Sequence, residues 1–349
     1  MPDRCAPPCG KDFDVVLAGY FGFRNLGDEL LASSAIDALV ECGVPAERIA
    51  ILTAGESHGA QPFDRWSLRS VIGVLRRSRS LLFAGGGLFQ DATSLRSAIY
   101  YWGLSALASA VGSVPWAMAQ SVGPLRTRMA RWLAGSAFSR CRYITARDEG
   151  SRLLLGELGV NARRMPDLVL GAGVPSVRVS HRGPVLLNVR PTDDGEAGRL
   201  VSRVAEKFTA EGIETVGLAF SPDDCAEFER LIASGDMPET KLHRVESVAD
   251  FARLADGCGG AVGVRLHFGI LCYLAGIEPL LYPYDPKVRA FAESFGLDLL
   301  QWKYGEEGFD ITNLLTNNAH SAKRKSEVFH EQIRREFELA LETVMGGKF

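Results

Sequence analysis

The stretch "AGYFGFRNLGDELLASSAIDAL", residues 18–39, passes from a short apolar run through three glycines, an Asn and two adjacent acids into a long apolar-periodic segment. With the preceding "DVVLAGY" (14–20) it reads as strand, glycine-rich turn and helix. Gly19, Gly22 and Gly27 permit tight turning and close approach of a ligand, and the N–H groups opening the helix can hold an anion. A local role fits the same residues: Asp28 as a helix cap, with Glu29 favouring the positive end of the dipole. The spacing is not GxGxxG, so a dinucleotide fingerprint is not supported.

Working outward, the pattern repeats. Further strands are expected at "RIAILTA" (48–54), "SLLFAGG" (80–86), "VPWAMAQSV" (114–122) and "RYITARD" (142–148), with helical patterns near 28–42, 95–112 and 127–140. A Gly-, Pro- and Ser-containing stretch at 171–183 reads as a linker. A second series then starts with "PVLLNVRP" (184–191), "IETVGLAF" (213–220), "KLHRV" (241–245), "GGAVGVR" (259–265) and "EPLLYPY" (278–284), with helices near 195–211 and 222–234. Such alternation predicts an α/β chain of two tandem Rossmann-like domains, at 13–170 and 184–315. A tail (1–12) precedes them and a helical segment (316–349) follows, with Val328, Ile333, Phe337, Leu341 and Val344 spaced for one face. Parallel sheets bind ligands at the carboxyl ends of their strands, so a cleft between the domains is the expected site.

Composition excludes several classes. A net charge of -3 over 349 residues gives no electrostatic footprint for nucleic acid. No run is long enough for a membrane helix, and "MPDRCAPPCGKDFD" has no secretory h-region, so a cytoplasmic protein is expected. The seven cysteines are scattered without a CxxC pair and the histidines without HxxxH or HExxH, so neither disulfides nor a metal are expected.

Other strand ends carry polar groups. "FAGGGLFQDATSLRS" (83–97) joins a strand to a helix through Gly85, Gly86 and Gly87, then offers Gln90, Asp91, Thr93 and Ser94; a capped turn is the alternative. "AQSVGPL" (119–125) presents Gln120, or is a plain Gly-Pro turn. In "TARDEGSRLLLGELGV" (145–160), Arg147 either forks onto a carboxylate or phosphate or pairs with Asp148 or Glu149. "AVGVRLHFGILCYLAGIEPLLYPYDPKV" (261–288) brings Arg265, His267 and Lys287 to adjacent strand ends, which points to an anion pocket. Two arginine clusters (76, 77, 79 and 126, 128, 131, the latter beside Trp132) suit anionic lipid heads or form a solvated face.

Together "GYFGFRNLGDE", "GGGLFQDATSLRSAIYYWGL", "AQSVGPL", "TARDEGSRLLLGELGV", "MPDLVL" and "VRLHFGILCYLAGIEPLLYPYDPKVRAFAESFGL" resemble the polysaccharide pyruvyl transferase family, its cell-surface-anchoring CsaB type in particular. The resemblance implies a GT-B-like architecture and transfer of an enolpyruvyl unit from phosphoenolpyruvate onto a sugar as a cyclic ketal. For the CsaB type it implies a lipid-linked acceptor with β-ManNAc, a precursor of the cell-wall polymer that anchors S-layers. A lipid-linked acceptor would require membrane contact only peripherally, at the inner face, and the reaction would need no cofactor, since the co-substrate brings its own leaving group.

It ties Arg147, His267 and Lys287 to donor binding or catalysis, and Arg265 joins them as a donor-side cation. Gly22, Asn25, Asp28, Glu29, Gly86, Gly87, Gln90, Asp91 and Gln120 would face the acceptor. His267 or Lys287 is the expected acid, and Asp28, Glu29 or Asp91 the base. "PDLVL" departs from the family's usual "DP" followed by an aromatic, and 171–258 offers little to match, so the acceptor is less defined than the donor. Two other functions fit the same pattern: a GT-B glycosyltransferase using a nucleotide sugar, and a non-catalytic sugar- or phosphate-binding protein.

Overall fold

The computed structural model describes residues 11–55, 59–91, 95–180, 182–301 and 322–346, the last from Glu327 onward where side chains are concerned. Thr93 and Ser94 lie outside these. The chain divides into two compact units: Met1–Phe23, Asp28–Leu168 and Glu331–Phe349 form the first, Arg24–Gly27 and Val169–His330 the second.

The first unit is built on seven parallel strands: β1 (Phe13–Ala18), β2 (Ile49–Thr53), β3 (Gln61–Asp64), β4 (Ser78–Phe89), β5 (Val114–Val122), β6 (Ile144–Ala146) and β7 (Arg163–Arg164). Their order is β3-β2-β1-β4-β5-β6-β7. All six residues of β1 are buried, as a near-continuous apolar run requires when helices cover both faces. The helices are α1 (Leu26–Glu41), α2 (Leu68–Arg76), α3 (Leu95–Ala110), α4 (Arg128–Phe138) and α5 (Glu149–Glu157).

The second unit carries five parallel strands in the order β10-β9-β8-β11-β12. These are β8 (Val185–Leu187), β9 (Thr215–Ala219), β10 (Lys241–Arg244), β11 (Gly260–Gly263) and β12 (Pro279–Leu281). Its helices are α6 (Glu196–Ala210), α7 (Pro222–Ala233), α8 (Val248–Ala255), α9 (Leu266–Ala275) and α10 (Pro286–Phe295). α9 is buried along nearly its whole length, an apolar helix with no solvent face.

Both sheets are Rossmann-like, as the alternating pattern predicts. The edge strands β3 and β7 were not legible. Both are almost wholly exposed and carry Gln, Pro, Asp or Arg where an apolar run was sought. β4 also runs on to Phe89, so the three glycines lie inside a strand rather than after one.

The stretch read as a linker is pinned to the second unit: Val177 donates to the Ala275 carbonyl, and Val179 bridges Cys258. The last helix, α11 (Ala322–Met345), buries Ile333, Phe337, Leu341 and Val344 on one face, whereas Val328 is 64% exposed and does not join them. Among the described residues, no helix is long and apolar enough to cross a membrane.

Candidate functional site

At the carboxyl edge of the first sheet, backbone turns are held in shape by side chains. Gly22 takes a φ of +82°, and a Cβ there would land on Thr53 Oγ1 and the Gly55 nitrogen. Its own N–H donates to Glu29 Oε1 at 2.8 Å. Gly85 and Gly86 also take positive φ, at a register shift in β4. A Cβ on Gly85 would sit 2.7 Å from Leu31 Cδ2, and one on Gly86 3.9 Å from Asp28 Oδ1. Their positive φ favours glycine at both positions, and at Gly85 a side chain would also press on Leu31 of α1. The structure thus brings Asp28, Glu29, Gly22 and Gly86 together, with Gly87 exposed and open beside them.

Other expected acceptor-side residues are committed within the fold. Asn25, rather than Asp28, caps α1: its Oδ1 accepts from the Gly27 N–H at 3.3 Å. Gln120 is fully buried, its Nε2 donating to the carbonyls of Phe83, Gly85 and Met118 at 3.0–3.2 Å. Any influence on a ligand therefore runs through the shape of the glycine strand. Asp91 accepts from the N–H groups of Arg126 and Thr127 and from the Thr127 hydroxyl at 2.7–2.8 Å. Burial alone would raise its carboxyl, but these donors outweigh it and hold the group below its ordinary range. Gln90 is half-buried next to it.

Arg147 does not pair with its neighbours. Its Nη1 meets Asp167 Oδ2 at 2.6 Å and its Nε donates to Ser121 Oγ at 2.6 Å, with both ion-pair side chains nearly buried. Asp167 is the acid of "MPDLVL". Asp148 instead caps α5 by accepting from Ser151 N–H, and Glu149 pairs with Arg152.

Sequence reasoning missed Arg65. It is 4% exposed, donates to the Gly19 carbonyl at 2.7 Å, and sits 4.8–5.2 Å from the ring centroids of Tyr100, Phe23 and Trp66. Tyr20 and Phe23 stack at 4.0 Å beside it, so a caged cation fixes the loop leaving β1. These aromatics come from three separate segments, and no local spacing announces them.

In the second unit the edge is organised by charge. Arg265 forks onto Asp224 at 2.5 and 2.6 Å and onto Ser221 Oγ at 2.7 Å, with the Asp224 side chain fully buried. Its backbone N–H is held by Asn188 Oδ1 at 2.9 Å. Lys287 Nζ faces Asp285 Oδ2 at 3.1 Å, and Asp285 caps α10. His267 stands in the first turn of α9, and a Cβ on Gly27 would fall on its imidazole. Residues 24–27 are tied into this unit, Leu26 donating to the Phe220 carbonyl and Arg244 to that of Arg24.

Several of the clustered arginines are also paired: Arg77 with Asp12, Arg79 with Asp14 and Arg131 with Glu157. Among the described residues, no group of three or more His, Cys, Asp or Glu could hold a metal ion.

A family model described as polysaccharide pyruvyl transferase matches residues 25–286, and the chain belongs to that family. The matched range holds Asp28, Arg147, Arg265 and His267 and ends one residue before Lys287. None of the curated proteins matches the chain in sequence.

Among solved structures it is similar to a UDP-GlcNAc 2-epimerase from Neisseria meningitidis bound to UDP-GlcNAc (10% identity, TM-score 0.53, 93% of this chain and 100% of that one). It is also similar to the MnaA protein of S. aureus solved with UDP (11%, TM-score 0.59, 94% and 97%). A third is the UDP-GlcNAc 2-epimerase of Methanocaldococcus jannaschii (9%, TM-score 0.55, 90% and 98%). At such identities the likeness shows the fold, two Rossmann-like domains of the GT-B kind, and nothing of the substrate.

Proposed function

We propose that this member of the polysaccharide pyruvyl transferase family moves the enolpyruvyl unit of phosphoenolpyruvate onto two hydroxyls of a sugar as a cyclic ketal, releasing phosphate. The acceptor in this reading is a β-ManNAc unit of a lipid-linked cell-wall polymer precursor, met at the cytoplasmic membrane face as in the CsaB type. The observation that carries the reading is the family match across residues 25–286.

His267, as imidazolium, protonates the methylene carbon of the donor, the electron pair of the C=C bond forming the new C–H bond. One sugar hydroxyl attacks C2 and gives up its proton to a carboxylate. The second hydroxyl then closes the ring as the C2–O bond to phosphate breaks, phosphate leaving with that electron pair and taking up the second proton. Asp28, Glu29 or Asp91 serves as that base, the first two from the first turn of α1 beside the Gly22 and Gly86 turns and Asp91 from the loop after β4. The Arg147–Asp167 pair fixes the β6–α5 turn, and Lys287 supplies donor-side charge.

The test is phosphate release from phosphoenolpyruvate with and without a ManNAc-GlcNAc-diphosphate-lipid analogue, beside His267→Ala. Acceptor-dependent release with gain of a pyruvyl mass, lost in the variant, is the expected result. UDP-sugar turnover with no response to phosphoenolpyruvate would replace this reading with a nucleotide-sugar glycosyltransferase.

A further inference from the structure

Four basic side chains leave the carboxyl edge of the second sheet: Arg190 after β8, Arg244 at the end of β10, Arg265 after β11 and Lys287 after β12. Three are met by a carboxylate. Arg265 lies 2.5 Å from Asp224, Lys287 3.1 Å from Asp285 and Arg244 3.6 Å from Glu246. Arg190 differs. Its Nη1 donates to the Tyr284 hydroxyl at 2.7 Å and its Cζ lies 4.7 Å from that ring's centroid, and no described carboxylate pairs with it. Its Nε is buried and has no acceptor among the described residues.

This asymmetry matters for an anionic ligand. A guanidinium forked onto a buried carboxylate has spent its charge, and an arriving dianion meets the carboxylate as well as the cation. A guanidinium held only by a phenol and a ring face keeps its full charge, and its planar fork matches the oxygens of a phosphate. Its desolvated Nε–H adds to the gain when an acceptor arrives.

Topology places Arg190 well. The strand order β8-β11-β12 sets β11 between the two strands whose exits Arg190 and Tyr284 occupy. Their hydrogen bond therefore spans the end of the strand that feeds α9. That helix starts without a side-chain cap and carries His267 in its first turn.

We propose that Arg190 is the residue that binds the phosphate of the donor, with Tyr284 as its positioning residue, while Arg265 braces the β11–α9 turn. The inference rests on the pyruvyl-transfer reading for the identity of the donor.

The experiment compares wild type with Arg190→Gln, Arg190→Lys and Tyr284→Phe. Calorimetry follows binding of phosphoenolpyruvate and of inorganic phosphate, steady-state kinetics gives KM for each substrate, and thermal melting reports the fold. Arg190→Gln is expected to weaken both anions by about ten- to a hundredfold, with acceptor KM and melting unchanged. Lys restores part of the loss and Tyr284→Phe costs less than Arg190→Gln.

If the wild type forms the ketal while Arg190→Gln keeps its donor KM and phosphate affinity, the inference falls and the pyruvyl-transfer reading stands. If the wild type binds phosphate through Arg190 yet forms no ketal, the anion site stands and that reading falls. Should the wild type bind neither anion, both fall.

Discussion

The carboxyl edges of the two sheets are built from different materials. The first is shaped mainly by glycines and the side chains that hold its turns: positive-φ glycines, an amide gripping three carbonyls, and carboxylates that accept from main-chain N–H groups, with one buried ion pair, Arg147 with Asp167. The second is shaped by paired charges, Arg265 with Asp224 and Lys287 with Asp285, around a closely packed histidine. A ligand at the first edge would be fitted by shape and one at the second by charge. Steric changes should therefore injure glycine positions, and neutralising changes should injure the charged edge. Within the second unit, Gly27 against His267 is the place where a steric change strikes the charged edge.

Gly27→Ala gives the largest expected effect on turnover; the changes after it are read as stability. Gly27 stands in the first turn of α1, where the helix itself tolerates Ala. The added methyl falls on the imidazole, however, and must displace it. A displacement near 1 Å at a reacting group costs roughly a hundredfold in rate. Turnover should drop by about that factor while melting changes little; full activity would show that the imidazole is not held by this contact. Gly87→Ala is the control, because a Cβ there meets nothing within 4 Å. Loss of activity at unchanged stability in that variant would place a ligand over Gly87.

Asp224→Ala comes next and sets the charged edge against the first. It leaves Arg265 half-buried without its carboxylate, at a cost of about 3–5 kcal/mol. Asp167→Ala does the same to Arg147 in the first unit, so denaturant melts of the two variants measure the two edges on one scale. A loss under 1 kcal/mol in either would mean that water or a rearranged side chain replaces the carboxylate. Gln120→Leu, nearly isosteric, should cost about 1–3 kcal/mol because three carbonyls lose a donor. An unchanged melt would show that the glycine strand holds its shape alone.

Much of this was legible in advance, for physical reasons. Buried parallel strands must be apolar runs, so β1, β2, β5 and β9 stand out, and ligand-facing turns must carry Gly and polar residues at strand ends. Pairing was not legible. Arg147 has acids one and two residues away yet takes Asp167, twenty residues on, because β6 and β7 lie side by side and the chain returns there. Arg265, after β11, reaches Asp224 on α7 after β9 across 41 residues and past the exit of β8, the strand between them. Arg190 was passed over because nothing in "PVLLNVRP" announces that its partner would be a phenol rather than a carboxylate.

The smallest effect concerns Asp91, whose oxygens fasten the loop after β4 to the start of α4. Asp91→Ala should cost about 1 kcal/mol, the ordinary net worth of such hydrogen bonds. The sign of its pH dependence follows from the depressed carboxyl. In the unfolded chain the group titrates near about 3.9, and in the folded chain lower, so the unfolded state binds its proton first as pH falls. The stabilisation is complete above the unfolded value and disappears as pH drops through the folded one. Melting of wild type and variant should accordingly differ most at neutral pH and converge in strong acid. A gap that stays constant down to acid pH would mean that Asp91 acts by packing, and that the first edge owes its shape to its glycines without help from this carboxylate.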